Sequence, residues 1–454
     1  MGPSRSRSSR LEWLEYVSAS IGMAFACSGF AMFGQLFAFA TGWVLLAAVV
    51  TAGVFCGALS LSIGELASMY PSAPGVRTYL KAAFGDHFSL AVTFAMLCVV
   101  LLFAGVESFA FHAALRQLFP SLSPMAGMTL AIATVAGLNL AGFEVPRKAQ
   151  LVLAGLIVAL LVAVSLLSLG AATPAAHVEA AAPAGATGAV AAVGGAVFLY
   201  TGFEWVTPLG RSPQAYRARI PWSMPVALSV LTVVFGLLTV ALWRCVPGSI
   251  LRDSLTPHIV LGERWAGRGA QLAMIAVSLF ATLTTFNAGL MGGSRLLYIL
   301  ARDRRFFSWA AHLSPRTGNP TRAVMAIAGA CWLAAIAEWY LNAYSQAATI
   351  CAALYAAVYA CFGLASAALR RTRPSARRSY RTPLPVPVQL ALAGMMGLFG
   401  LALLAAPRVD AAAVRGGFAL IIAASSALAF VFVRRATAPH AQAPAPLQNP
   451  LEAR

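Results

Sequence analysis

Glu204 is an acid in the middle of apolar chain. It follows Thr201-Gly202-Phe203 directly and precedes Trp205 and Pro208. An acid at the centre of a lipid-facing helix costs about 2.5–3.5 kcal/mol on insertion scales. This one must therefore face a cavity, a partner or a ligand. A glycine beside it lets the helix open, and an opened helix offers N–H and C=O groups to a ligand. Two plainer readings compete: Gly202 packs closely on a second helix, and Glu204 pairs with an internal arginine. Glu107 lies deep in the apolar run AGVESFAF. It can contact a cation, carry a proton or pair with another buried polar group. Thr284 and Thr285 can offer hydroxyls to a sodium ion, although threonine in a membrane helix more often bonds back to its own helix. Glu65 reads as a partner of loop arginines, and Glu144 and Asp303 as structural loop acids. His112 reads as a satisfied interior or interfacial side chain. Trp205, Trp243, Trp332 and Trp339 read as a set that includes interface anchors.

These residues sit in a chain made for a bilayer. Its 454 residues are 60% hydrophobic and 10% charged, with a mean hydropathy of +0.78. A soluble globular chain carries roughly 25% charged residues. The formal net charge is +18, from 32 Lys+Arg against 14 Asp+Glu, and only Lys81 and Lys148 are lysines. The arginines are spread over short loops, and no basic, aromatic-studded domain exists to hold a nucleic acid. The charge instead sets topology and touches anionic lipid. The seven cysteines, Cys27, Cys56, Cys98, Cys245, Cys331, Cys351 and Cys361, mostly lie in apolar segments without metal-ligand spacing. Free thiols are expected, with no disulfide framework, no metal and no cofactor. Met1–Arg10 is polar and basic, so the first apolar segment is expected to act as the insertion signal.

A span of the hydrocarbon core needs roughly 20 apolar residues. Twelve candidates fit, at about 18–40, 43–69, 88–118, 125–143, 148–170, 188–210, 222–246, 269–300, 322–341, 345–369, 386–406 and 412–433. With the N-terminus inside, 24 of the basic residues fall on one side and 7 on the other, leaving Arg295 within segment 8. That asymmetry puts both termini in the cytoplasm. Segment 1 carries Cys27-Ser28-Gly29 and then Gly34; segment 6 carries Thr201-Gly202-Phe203 and then Pro208. Each opens a block of five spans. Paired interrupted helices at matching places in two halves point to an inverted repeat with a site near the bilayer midplane. The expected fold is an all-α polytopic membrane protein of 12 transmembrane helices. It divides into an N-terminal segment 1–17, a first repeat 18–170, an extracytoplasmic connector 171–187, a second repeat 188–370, a basic loop and two further helices 371–435, and a disordered tail 436–454.

Four stretches resemble the amino acid–polyamine–organocation superfamily of permeases. Gly64–Gly85, GELASMYPSAPGVRTYLKAAFG, looks like the family's signature after helix 2, with Pro74 in place of its first paired glycine. Asn139–Gln150 is similar to the joint between helices 4 and 5. GFEWV followed by Arg219-Ile220-Pro221 resembles the passage from helix 6 to helix 7. Gly292–Arg305, GGSRLLYILARDRR, with Ser314–Pro320 resembles the end of helix 8 and the loop after it. The resemblance implies a leucine-transporter-like 5+5 inverted repeat, with helices 1 and 6 unwound at the substrate. It places Cys27, Ser28 and Gly29 at the helix 1 break, where a substrate carboxylate would bind. It places Thr201, Gly202 and Phe203 at the helix 6 break, where carbonyls would receive an amine. Phe198 falls at the position of a gating aromatic, and Arg295 near the cytoplasmic gate. The family usually has glycine where Cys27 stands, and some proton-coupled relatives carry a lysine in helix 5 where this chain has apolar Ile157–Ala159. Gly29 and Gly202 are then expected to leave room for the substrate backbone.

The resemblance implies a secondary active transporter of amino acids or related amines in a bacterial inner membrane. Its partners would be the substrate, a coupling proton or sodium ion, and lipid; Glu204 is the proton-coupling candidate. A transporter-fold nutrient sensor, or a sodium-coupled or exchange transporter of another small amine, are the alternatives. A membrane enzyme is disfavoured: the chain has no H-E-x-x-H, no nucleophile elbow and no phosphate-binding loop.

Overall fold

A computed structural model describes residues 3–71, 75–143, 147–171, 185–210, 215–304, 308–405 and 410–436. Within them the chain is helical and has no strand. The helices are α1 (Pro3–Ala24), α2 (Cys27–Phe39), α3 (Gly42–Met69), α4 (Gly75–Phe84), α5 (Asp86–Arg116), α6 (Pro124–Leu140), α7 (Arg147–Ala171), α8 (Ala186–Val197), α9 (Ile220–Cys245), α10 (Gly248–Asp253), α11 (Pro257–Arg304), α12 (Thr321–Tyr340), α13 (Tyr344–Thr372), α14 (Val386–Ala405) and α15 (Ala411–Ala436). Most of the expected connector, most of the tail, Pro74 and Glu144 lie outside the described residues, as does the side chain of Asp303.

Ten stretches are long and apolar enough to cross a membrane, and the bent pair α1–α2 makes eleven. This is an integral multi-pass membrane protein. The expectation of twelve spans differs at α6, which has 17 residues. Such a helix rises about 26 Å, short of the ~30 Å hydrocarbon core. Local sequence sets its ends. Ser123 caps the start, its Oγ accepting from Ala126 N at 3.3 Å, with Pro124 at the first helical position. Gly142, in the left-handed region at φ +70°, ends the apolar run early.

The second interruption falls at Gly202 as expected; the first falls just before the expected Cys27-Ser28-Gly29, which are the opening residues of helix α2. α1 and α2 meet at Phe25-Ala26 with a bend of 54°, Ala26 being extended. After α8 the chain tightens into a 3-10 turn at Phe198–Tyr200, passes through extended Thr201 and left-handed Gly202, and continues as 3-10 helix over Phe203–Leu209. Around these breaks α3 packs on α9 and α8, α5 on α11, α12 and α13, and α1 on α7 and α9. Beyond the break, α2 closes against α10. A Cβ on Gly34 would lie 2.5 Å from Ser254 O and 2.8 Å from Leu251 O.

One end of the bundle is held by buried charge. Glu65 is 1% exposed and receives Arg370 Nη2 at 2.6 Å and Thr382 N at 3.0 Å, while Arg378 Nε stands 2.9 Å from its other oxygen. These are the loop arginines expected for it. Arg77 of α4 bonds Asp86 at the start of α5 at 2.5 Å.

Candidate functional site

The two breaks touch. Gly202 stands at φ +99°, and a Cβ there would meet Met23 O at 2.5 Å, so its backbone lies directly against the end of α1. Gly29 is looser: its Cβ would sit 4.0 Å from Leu199 of the other break. The space at Gly202 is thus taken by the α1 carbonyl, which differs from the expectation of a gap left for substrate. Only glycine adopts this conformation cheaply at such close approach.

Each break is held by an acid. Glu107 of α5 is fully buried. Its Oε1 accepts from Cys27 N at 3.0 Å and from Thr282 Oγ1 at 2.7 Å; its Oε2 accepts from Ser28 N at 2.9 Å. The first N–H groups of α2 have no partner within their own helix, and a carboxylate suits that helix end electrostatically. Glu204 is 9% exposed. Its Oε2 accepts from Tyr359 Oη at 2.7 Å and from Gly202 N at 3.2 Å. The internal partner of Glu204 is therefore tyrosine rather than arginine. Phe203 packs on the same Tyr359 ring at 5.4 Å, and Phe198 on Phe103 at 6.2 Å. Thr201 Oγ1 turns back to Phe198 O at 2.9 Å.

Thr284 and Thr285 both address α1 across the bundle. Thr285 Oγ1 donates to Gly22 O at 2.9 Å and to Phe25 O; Thr284 Oγ1 reaches Gly22 O at 3.3 Å and Phe280 and Ala281 of its own helix. Two carbonyls and two hydroxyls thus converge beside the first break.

A cavity of about 480 Å³ runs from Glu204, Met23 and Trp205 to Arg295, exposed Arg302 and Asn319. A second space of about 20 Å³ lies deeper, against Thr201, Gly202, Phe103 and Tyr355. Trp205 lines both, and its ring rests on Gly292, where any Cβ would coincide with it. The four tryptophans are expected to include interface anchors; Trp205 instead stands half-buried between the two spaces. Its signal was its place directly after Glu204. Tyr359 was missed, because nothing near it in sequence marks its role. Among the described residues no cluster of His, Cys, Asp and Glu could hold a metal.

Two interrupted helices meeting at buried carboxylates, inside a multi-pass apolar bundle with a cavity reaching them from one side, define a membrane transporter. The chain belongs to the amino acid permease family, whose sequence profile matches residues 11–432. It is 26% identical over 324 residues to an uncharacterized transporter of Mycobacterium tuberculosis (strain H37Rv), covering 70% of this chain and 71% of the relative. It is 25% identical over 329 residues to an uncharacterized amino acid permease of Bacillus subtilis, covering 70% and 75%. It is 27% identical over 148 residues to human cationic amino acid transporter 4, covering 32% of this chain and 23% of the relative. Relatives of this kind are transporters and permeases, not enzymes.

Proposed function

We propose that this permease is a secondary active transporter of cationic amines, amino acids among them, working by alternating access with Glu204 as its proton-coupling group. The observation that carries the reading is Glu204 itself. It braces the second break through Gly202 N and stands at the inner end of the 480 Å³ cavity. A carboxylate placed so can exchange a proton for the cation it binds, which links substrate movement to proton movement. Six apolar segments on each half of the chain, counting α1–α2 and α6 as one span each, give twelve spans with both termini cytoplasmic. The Lys/Arg asymmetry then makes the cavity end cytoplasmic, so the structure is inward-open. Helices 1–5 and 6–10 would form the inverted repeat, in a bacterial inner membrane.

Phe198, Thr201, Gly202 and Phe203 form one wall of the substrate site and Cys27, Ser28 and Gly29 the other. The chemistry of the second wall favours an amine. A substrate carboxylate would need Cys27 N and Ser28 N, which Glu107 already holds. Uptake of a labelled cationic amino acid into proteoliposomes, competed by its decarboxylated amine, tests this. The amine is expected to compete at least as well as the amino acid. Competition by the amino acid alone would show that Glu107 leaves those amides to the substrate. Absence of any uptake, with binding retained, would favour a sensor.

A sodium-coupled cycle is the second reading, favoured by Thr284, Thr285 and the Gly22 and Phe25 carbonyls. Oxygen donors of this kind suit a hard cation. Uptake that needs sodium at fixed pH would decide for it.

A further inference from the structure

α12 begins beside the large cavity, next to Asn319 and Pro320, and ends about 26 Å away at Glu338 and Trp339. There Glu338 is 8% exposed, and among the described residues neither carboxylate oxygen has a hydrogen-bond partner. It faces a second cavity of about 120 Å³ that Phe109, Met128, Trp339, Tyr344 and Ser345 also line. The place is built. Gly105 of α5 gives the carboxylate its room: a Cβ there would fall 2.2 Å from Glu338 Oε2. Asn342, in the left-handed region at φ +49°, turns the chain sharply, and Ala343 N donates to Glu338 O at 2.8 Å. That turn sets Tyr344 over the acid, with its ring 5.1 Å from Phe109.

We propose that Glu338, walled by Phe109, Trp339 and Tyr344, is a binding site for the ammonium group of an organic amine, at the end of the bundle opposite the large cavity. A buried charge without a partner is costly, and an ammonium supplies both the counter-charge and the missing donors. Ring faces attract such a cation within about 6 Å. A sodium ion would want a shell of oxygens, whereas three rings and a thioether make up most of this wall, with Asn342 and Ser345 as its polar side chains beside Glu338. Gly105, against Glu338, and Glu107, at the first break, stand two residues apart on α5 and so on different faces of it. The proposal goes beyond the transport reading and does not depend on it.

The test is equilibrium binding of labelled n-butylamine to the full chain in lipid nanodiscs. Wild type is expected to bind one amine at Glu338 and a second at the helix breaks. Glu338→Gln should remove one equivalent or weaken it at least tenfold, and Trp339→Leu should weaken the same equivalent several-fold. Gly29→Leu should remove the other and spare this one. If Gly29→Leu changes nothing while Glu338→Gln removes the bound amine, the central reading fails and the outer site stands. If Glu338→Gln does not fold, Trp339→Leu decides alone. Wild-type stoichiometry and affinity in both outer-site variants, no binding to wild type, or displacement by sodium chloride but not choline chloride would each overturn the proposal.

Discussion

Glu107 and Glu204 do comparable jobs with different partners. Glu107 satisfies the first amides of α2 and takes a hydroxyl from Thr282, all within a fully buried pocket. Hydrogen bonds to a charged group are worth about 1.5–3 kcal/mol each, and removing the acid takes the acceptor from three buried donors, the Cys27 and Ser28 amides and the Thr282 hydroxyl. Glu107→Ala is expected to destabilise the protein by about 3 kcal/mol, read as a lowered thermal unfolding midpoint in detergent. A midpoint equal to wild type would mean that water or lipid headgroups serve those amides as well. Sequence marked both acids, because a carboxylate in apolar chain stands out locally. It did not mark their partners. Tyr359 lies 155 residues from Glu204, and Cys27 lies 80 residues from Glu107. Pairings at that range are set by how helices pack, which no local pattern carries.

At the scale of elements, Trp205 divides the inner space. It belongs to the 3-10 stretch after Gly202, and its ring fills the hollow over Gly292 of α11. Trp205→Ala is expected to join the 20 Å³ centre to the 480 Å³ cavity. Thr201→Cys in a background without other cysteines would report this. Its labelling by a soluble maleimide from the open side should be slow with Trp205 and at least tenfold faster with Trp205→Ala. Equal rates would place the barrier elsewhere. The second break was legible at Gly202, the first only to within a few residues, since Gly29 lies inside α2 and the chain opens at Phe25-Ala26; the edges of most spans were legible to within about three residues because apolar length is a local property. The tight seat of Gly202 against Met23 was not, since a close approach needs both partners in view. The same holds for Gly34 on α10, which shuts the far side of α2. Which of the four tryptophans anchor at an interface was not legible either; only the packing of α11 shows Trp205 half-buried between the two spaces.

Over the whole molecule, the Lys/Arg asymmetry is the basis of the proposed orientation of the bundle. The basic residues of the cavity end include Arg302, and Glu65 binds Arg370 and Arg378 in a buried cluster. Reporter fusions after Arg10 and Arg434 should both report cytoplasm; a signal from the far side for either would break the twelve-span account, most directly at 17-residue α6. The account as a whole rests on Glu204 standing between a break, a tyrosine and the cavity. The most direct measurement is the pH profile of amine uptake by Glu204→Gln in proteoliposomes. Glutamine keeps the size and can still accept from Tyr359 and Gly202, but it does not titrate. Wild-type uptake should rise as the outside pH rises, because more outward-facing carriers have given up the proton that the cation replaces. Glu204→Gln should fold, keep part of its amine binding and show a flat profile. A Glu204→Gln profile with the wild-type slope would contradict the proton role and leave Glu204 as a brace of the second break.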